Sequence, residues 1–129
     1  MNFYVWKNIE YKSEHRLNLD DIALAFEEVK RTYISDKVKE YCIDIFEYIH
    51  NDGKVYLPPS PRALLHVLRT ASSIAYLKER EYVIPDDIKM VVPYVLAHRI
   101  ILKTSSDFRD NYKYVKEVLD QVKVPKEVA

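Results

Sequence analysis

The sequence predicts an all-α domain, and three observations carry that prediction. One glycine, Gly53, stands among 129 residues, where an average chain of this length holds on the order of nine. Hairpin-rich folds consume glycine in their turns, so its scarcity disfavours them. Apolar residues recur at helical spacing along most of the chain. Prolines also stand at helix starts, in Ser60-Pro61 and Pro85-Asp86-Asp87, where the missing N–H costs nothing. At 15.3 kDa the chain suffices for one domain with one core and is short for two.

The elements follow in order. Residues 3–11, Phe-Tyr-Val-Trp-Lys-Asn-Ile-Glu-Tyr, are aromatic and β-branched with partial alternation and read as a minor N-terminal strand. Asn18 opens the first helix, with Asp21 at capping-box spacing and Lys30 and Arg31 in the last turn. Its apolar stripe is Ile22, Ala25, Phe26 and Val29. Ser35 caps a second helix, whose stripe is Val38, Tyr41, Cys42, Ile45, Tyr48 and Ile49, and Asn51-Asp52-Gly53 ends it. A stiff loop through Tyr56, Leu57, Pro58 and Pro59 leads to Ser60-Pro61. The third helix runs from there to about Arg80, burying Leu64, Val67, Leu68, Ala71, Ile74 and Ala75. Tyr82-Val83-Ile84 is extended. A fourth helix starts at Pro85 and reaches about Ile101, kinked or divided by Pro93. Thr104 to Asp110 reads as loop. A last helix covers about Asn111 to Lys123, with Tyr112, Val115, Val118, Leu119 and Val122 inward.

Composition excludes several functions. Twenty Lys plus Arg balance twenty Asp plus Glu, so the chain lacks the basic excess of a nucleic-acid module. A lone glycine leaves no material for a phosphate-cradling loop. The single Cys42 forms no internal disulfide and suits the reducing cytoplasm. The N-terminal residues are no signal peptide, and no uncharged apolar run reaches the ~18 residues that span a bilayer. His15, His50, His66 and His98 have no histidine or cysteine at i+3 or i+4, which argues against a metal site. Cys42 lies on an apolar stripe and reads as a packed thiol. Asp86 and Asp87 occupy a first helical turn, where negative charge is stabilising in itself.

Arg62 is the exception. It stands in the first turn of the third helix, beside the positive helix end, where a cation is mildly unfavourable unless an anion lies in front. His66, Arg69 and Ser73 follow on the same face. Periodicity alone favours a solvated basic face with a surface ion pair over an anion site.

Three separated segments add a resemblance. Ser60-Pro-Arg-Ala-Leu-Leu, Tyr82-Val-Ile-Pro-Asp-Asp-Ile-Lys and Val95-Leu-Ala-His-Arg-Ile-Ile-Leu resemble, in this order, the C-terminal lid domain of MoxR-type AAA+ ATPases. Ile34-Ser35 and Val122-Lys-Val-Pro resemble the start of the family's second lid helix and its C-terminal end. The likeness runs from about residue 19 to 125. It departs at Pro59, where the family has a small residue or glycine, and at Ile84, where it has threonine.

The resemblance implies an AAA+ lid-type bundle of about five helices over residues 18–129, with residues 1–17 as a stub at the end of a missing core domain. It also implies that Arg62 is the sensor 2 residue, which reaches the γ-phosphate of ATP on that core and takes part in hydrolysis. Ser60, His66 and Arg69 would lie nearby in the nucleotide site. ATP and Mg2+ would be the cofactors of the parent ATPase, neither held tightly by this chain, which is no enzyme on its own. The implied partners are the core domain, neighbouring subunits of a ring and von Willebrand factor A proteins, in a chaperone-like role without nucleic acid or membrane. The competing reading is a stand-alone helical adaptor, since interfaces favour tyrosine and the chain has eleven.

Overall fold

The computed structural model describes residues 16–105 and 107–126. Among them are five helices, α1 (Leu19–Lys30), α2 (Asp36–His50), α3 (Pro61–Leu77), α4 (Pro85–Leu96) and α5 (Phe108–Gln121), and two short strands, β1 (Val55–Leu57) and β2 (Ile101–Leu102). The strand expected over residues 3–11 lies outside the described residues.

The core sits between α2, α3, α4 and α5. Ile45 and Ile49 of α2, Val67 and Ala71 of α3, Ile88 and Leu96 of α4, and Val115 of α5 are wholly shielded from solvent. Two predicted stripes are rotated. On α2, Phe46 is buried and Tyr48 exposed; on α5, Tyr114 and Asn111 are buried and Tyr112 lies at the margin. Residues two apart lie about 200° round a helix, so helical spacing itself selects Phe46 and Tyr114, and the expected stripes misplace Tyr48 and Tyr112. Cys42 is a packed thiol whose pKa burial pushes up to about 12.

Helix α1 starts as its sequence predicts. The Asn18 Oδ1 accepts from the Asp21 N–H at 2.8 Å, and the Asp21 carboxylate accepts from the Asn18 N–H at 3.0 Å. Its stripe, however, is not core. No α1 residue is buried, and Phe26 remains 66% exposed. Its main neighbour is α3, to which the Tyr76 hydroxyl ties it by donating to the Glu28 carboxylate.

The loop expected around Tyr56 and Leu57 is instead β1, paired antiparallel with β2, Val55 opposite Leu102 and Leu57 opposite Ile101. Claiming Ile101 for β2 also shortens α4, which ends at Leu96 and is not divided by Pro93. A proline three residues from the end removes an N–H from a helix that is about to stop. Asn111, 2% exposed, then closes the α4 terminus, its Nδ2 donating to the carbonyls of Ala97 at 2.9 Å and Ile100 at 3.0 Å. These are acceptors that the helix itself leaves unpaired. Helix α5 starts three residues earlier than expected because Asp107 caps it, accepting from the Asp110 N–H at 2.8 Å.

Helix α3 stops at Leu77 rather than near Arg80, in a Schellman arrangement. The Arg80 N–H donates to Ala75 O and the Glu79 N–H to Tyr76 O, both at 2.9 Å, with Glu79 at φ 59°. A side chain in this left-handed region is strained by about 1–2 kcal/mol, which glycine escapes while losing more entropy on folding. Glu79→Gly is therefore expected to stabilise the domain by about 0.5–1 kcal/mol. Thermal denaturation checks this; a lower melting temperature would show that the turn carries no strain. Beyond it, Tyr33 and Tyr82 form a single bridge, so the extended segment at 82–84 ties the α3–α4 connection to the start of α2.

Candidate functional site

The site begins with the physics of the α3 start. Ser60 has the extended backbone of an N-cap, yet its hydroxyl makes no capping hydrogen bond. No acidic residue stands in the first turn, and Pro61 fills the first helical position. Among the described residues the helix end thus keeps its partial positive charge without a capping or acidic first-turn side chain to offset it.

Arg62 stands on that end, exposed to solvent. The ion pair of a solvated basic face is not there: among the described residues Arg62 has no hydrogen-bonding or charged partner. His66, one turn on, is half-buried, and Arg69, nearly two turns on, is exposed. Arg62, Ser60, His66 and Arg69 therefore do share one helix, but Arg69 belongs to a second feature. It lines a cleft of about 770 Å³ between α1 and α3 with Phe26, Val29, Ile34, Leu65 and Leu68. Leu65 is 53% exposed there, so the cleft is an apolar surface with a basic edge.

What holds the α3 start in place is the segment before it. The Asp52 carboxylate accepts from the Tyr114 hydroxyl at 2.6 Å and from the Lys54 N–H at 3.0 Å. The Tyr114 hydrogen bond, followed by that of Lys54, holds the Asp52 carboxyl below its usual pKa. Burial first, and the same bond second, push the Tyr114 phenol above its own. After β1 comes Pro58, then Pro59, which is buried, then Ser60. Sequence reasoning missed this strut because its partners, Leu102 and Tyr114, lie far along the chain.

The second missed constellation is Arg80 with Asp87. Asp87 is fully buried, and Arg80 holds it through two parallel bonds, Nη1 to Oδ2 at 2.7 Å and Nη2 to Oδ1 at 2.8 Å. Asp87 also accepts from the Ile84 N–H at 2.9 Å, and Lys78 Nζ stands 4.0 Å away. Burial pushes this carboxyl up, but Arg80, the Ile84 N–H and Lys78 together outweigh it and hold the pKa down. Of the two first-turn carboxylates, Asp87 is half of a buried ion pair, and Asp86 alone is exposed. A carboxylate seven residues after an arginine, across a short connection, was the available signal.

The Leu96-Ala-His98-Arg99 segment forms the turn after α4. His98 stacks on Phe108, centroids 4.6 Å apart, and Arg99 donates to its own helix at Val95 O, at 2.8 Å. Among the described residues no three His, Cys, Asp or Glu side chains come together as metal ligands, and no helix is long and apolar enough to cross a membrane.

A family model for the AAA lid domain matches residues 50–122, more than half of the chain, and the chain belongs to that family. Its relatives make it a lid of the MoxR type. The uncharacterized protein YeaC of Bacillus subtilis is 33% identical over 108 residues, covering 82% of this chain and 34% of that protein. Protein MoxR of Paracoccus denitrificans is 31% identical over 91 residues, 60% of this chain and 27% of that one. Chaperone MoxR1 of Mycobacterium tuberculosis is 49% identical over 54 residues, 40% of this chain and 14% of that one. The crystal structure of a candidate ATPase from Cytophaga hutchinsonii shares the fold, with a TM-score of 0.73 at 24% identity over 83% of this chain and 36% of that one. The chain thus spans about a third or less of the relatives it matches.

Proposed function

We propose that Arg62 is the sensor 2 arginine of this lid and that its guanidinium binds the γ-phosphate of ATP held on an AAA+ core domain. The observation that carries the reading is that, among the described residues, Arg62 has no partner and the helix start it stands on has no side-chain cap. A phosphate supplies the negative charge that both lack. Ser60, with a hydroxyl that caps nothing, and His66, one turn behind, flank the same position; Arg69 stands further off. Bound ATP supplies the scissile phosphoanhydride. This chain's contribution is a planar donor for charge developing on the transferred group. Magnesium would be held by the nucleotide and the core.

The rest of the reading concerns the whole protein. The cleft between α1 and α3 would face the core domain, and the lid would pass nucleotide state to neighbouring subunits of a ring. The assembly would be cytoplasmic and chaperone-like, remodelling partner complexes, with von Willebrand factor A proteins among its partners. By itself the lid would hydrolyse no ATP. The exposed α1 face also suits a stand-alone adaptor, but that reading leaves the bare α3 start without a purpose. Steady-state ATP turnover by the complete ATPase carrying Arg62→Ala tests the assignment. A folded variant working at the parental rate would return Arg62 to the solvent-facing surface.

A further inference from the structure

We infer that Tyr114 and Asp52 are positioning residues for Arg62, acting from α5 through the β1 strut; this rests on the sensor reading of Arg62. The path is short and stiff. Tyr114 is buried on α5, and its hydroxyl donates to Asp52 at 2.6 Å. Asp52 fixes its own turn twice, its carboxylate accepting from the Lys54 N–H at 3.0 Å and its carbonyl from the Val55 N–H at 3.1 Å. Lys54 in turn accepts from the Lys103 N–H at 3.0 Å, locking the turn to the β2 side. From Val55 the chain runs through paired β1, two prolines with restricted φ, and Ser60 to Pro61.

Nine residues therefore separate the Asp52 anchor from Arg62, and little in them can rotate freely. The turn itself holds Gly53, the chain's sole glycine, with open space around the place a side chain would fill. Freedom at this turn is thus limited by the hydrogen bonds of Asp52 rather than by packing. Without the Tyr114 bond, the turn keeps its local contacts but loses its attachment to α5. The α3 start would then drift relative to the bundle, and a displacement of about 1 Å at a catalytic group can cost about 100-fold in rate.

The test is a double-mutant cycle in the complete ATPase. Tyr114→Phe deletes one hydroxyl and keeps the ring, and is expected to lower kcat about tenfold, a fraction of that limit, with little change in KM for ATP. In an Arg62→Ala background the same substitution should cost nothing further, because the group it positions is gone. Asp52→Ala, which also removes the acceptor of the Lys54 N–H, should lower kcat at least as much as Tyr114→Phe. Asp52→Asn, whose amide oxygen can stay on the Lys54 N–H while its Nδ2 donates to the Tyr114 phenol oxygen, should recover most of the rate.

The outcomes separate the two readings. If Arg62→Ala alone leaves turnover unchanged, the sensor assignment fails and the inference with it. If Arg62→Ala lowers turnover but Tyr114→Phe does not, or lowers it equally in both backgrounds, Arg62 stands and the positioning role is wrong. Failure of Asp52→Asn to recover would likewise overturn the path through Asp52. Should Tyr114→Phe fold poorly, the Asp52 pair carries the same cycle from a half-exposed position.

Discussion

Arg80→Ala is expected to destabilise this domain by about 3–5 kcal/mol at neutral pH, the cost of leaving one partner of a buried ion pair behind. The reason is asymmetry. Arg80 keeps about a fifth of its side chain in contact with solvent, whereas Asp87 has none, so removing the arginine strands a carboxylate that water cannot reach. Among the described residues, the Ile84 N–H and the distant Lys78 ammonium are then its only support. The pH dependence should change sign. With Arg80 present, the Asp87 pKa lies below its unfolded value of about 3.9. The pair's contribution is then full above that value and is lost as pH falls through the folded pKa. With Arg80 gone, burial dominates and raises the folded pKa. The variant should therefore recover part of its deficit as the pH is lowered and the carboxyl takes up a proton. Urea denaturation of both proteins between pH 4 and 7 measures this. An Arg80→Ala deficit that is small and independent of pH would show that Asp87 is solvated after all.

Arg62→Ala is expected to reduce ATP turnover by the complete ATPase on the order of 100-fold, the usual loss when one donor to developing charge is removed. Folding should be untouched. An exposed first-turn arginine without a partner among the described residues opposes the helix dipole slightly, so alanine is neutral or mildly stabilising. Arg62→Lys should restore only part of the rate, because an ammonium lacks the planar fork that bridges two phosphate oxygens. Arg69→Ala, about 10 Å further along the axis and at the edge of the α1–α3 cleft, should matter far less. Comparable losses from Arg62→Ala and Arg69→Ala would point to a diffuse basic face rather than a single phosphate contact.

The parts legible in the sequence are those with local causes. Asn18, Ser35 and Ser60-Pro61 announce helix starts through chemistry confined to one turn, and the starts lie where those residues put them. The exposed first-turn position of Arg62 was likewise legible, because the helix start that sets it is local. What escaped was decided at long range. Val55–Leu57 becomes a strand only because Ile101–Leu102 lies beside it, and Ile101 by itself continues a helical pattern. Tyr114, four residues before Val118, continues the inward stripe where Tyr112 does not, and the acceptor for its hydroxyl is Asp52, far back along the chain. Asp87 had a sufficient local explanation in its helix end, which concealed the larger one. The surfaces of α1 were misread for the same reason: an apolar stripe states that something covers it, not that this bundle does.

That last point has a thermodynamic consequence for α1. A helix of twelve residues is marginal when isolated in water, and this one gains no buried side chain from the bundle. Its order rests on a capping box, one hydroxyl–carboxylate tie and a half-covered apolar face. Its opening free energy therefore lies well below that of the core, so its amide protons should exchange as a separate, earlier unit. Whatever covers Phe26 and Leu65 would then raise that free energy by its own binding, and the helix content of α1 becomes a gauge of occupancy. Docking and folding are, for these twelve residues, one equilibrium.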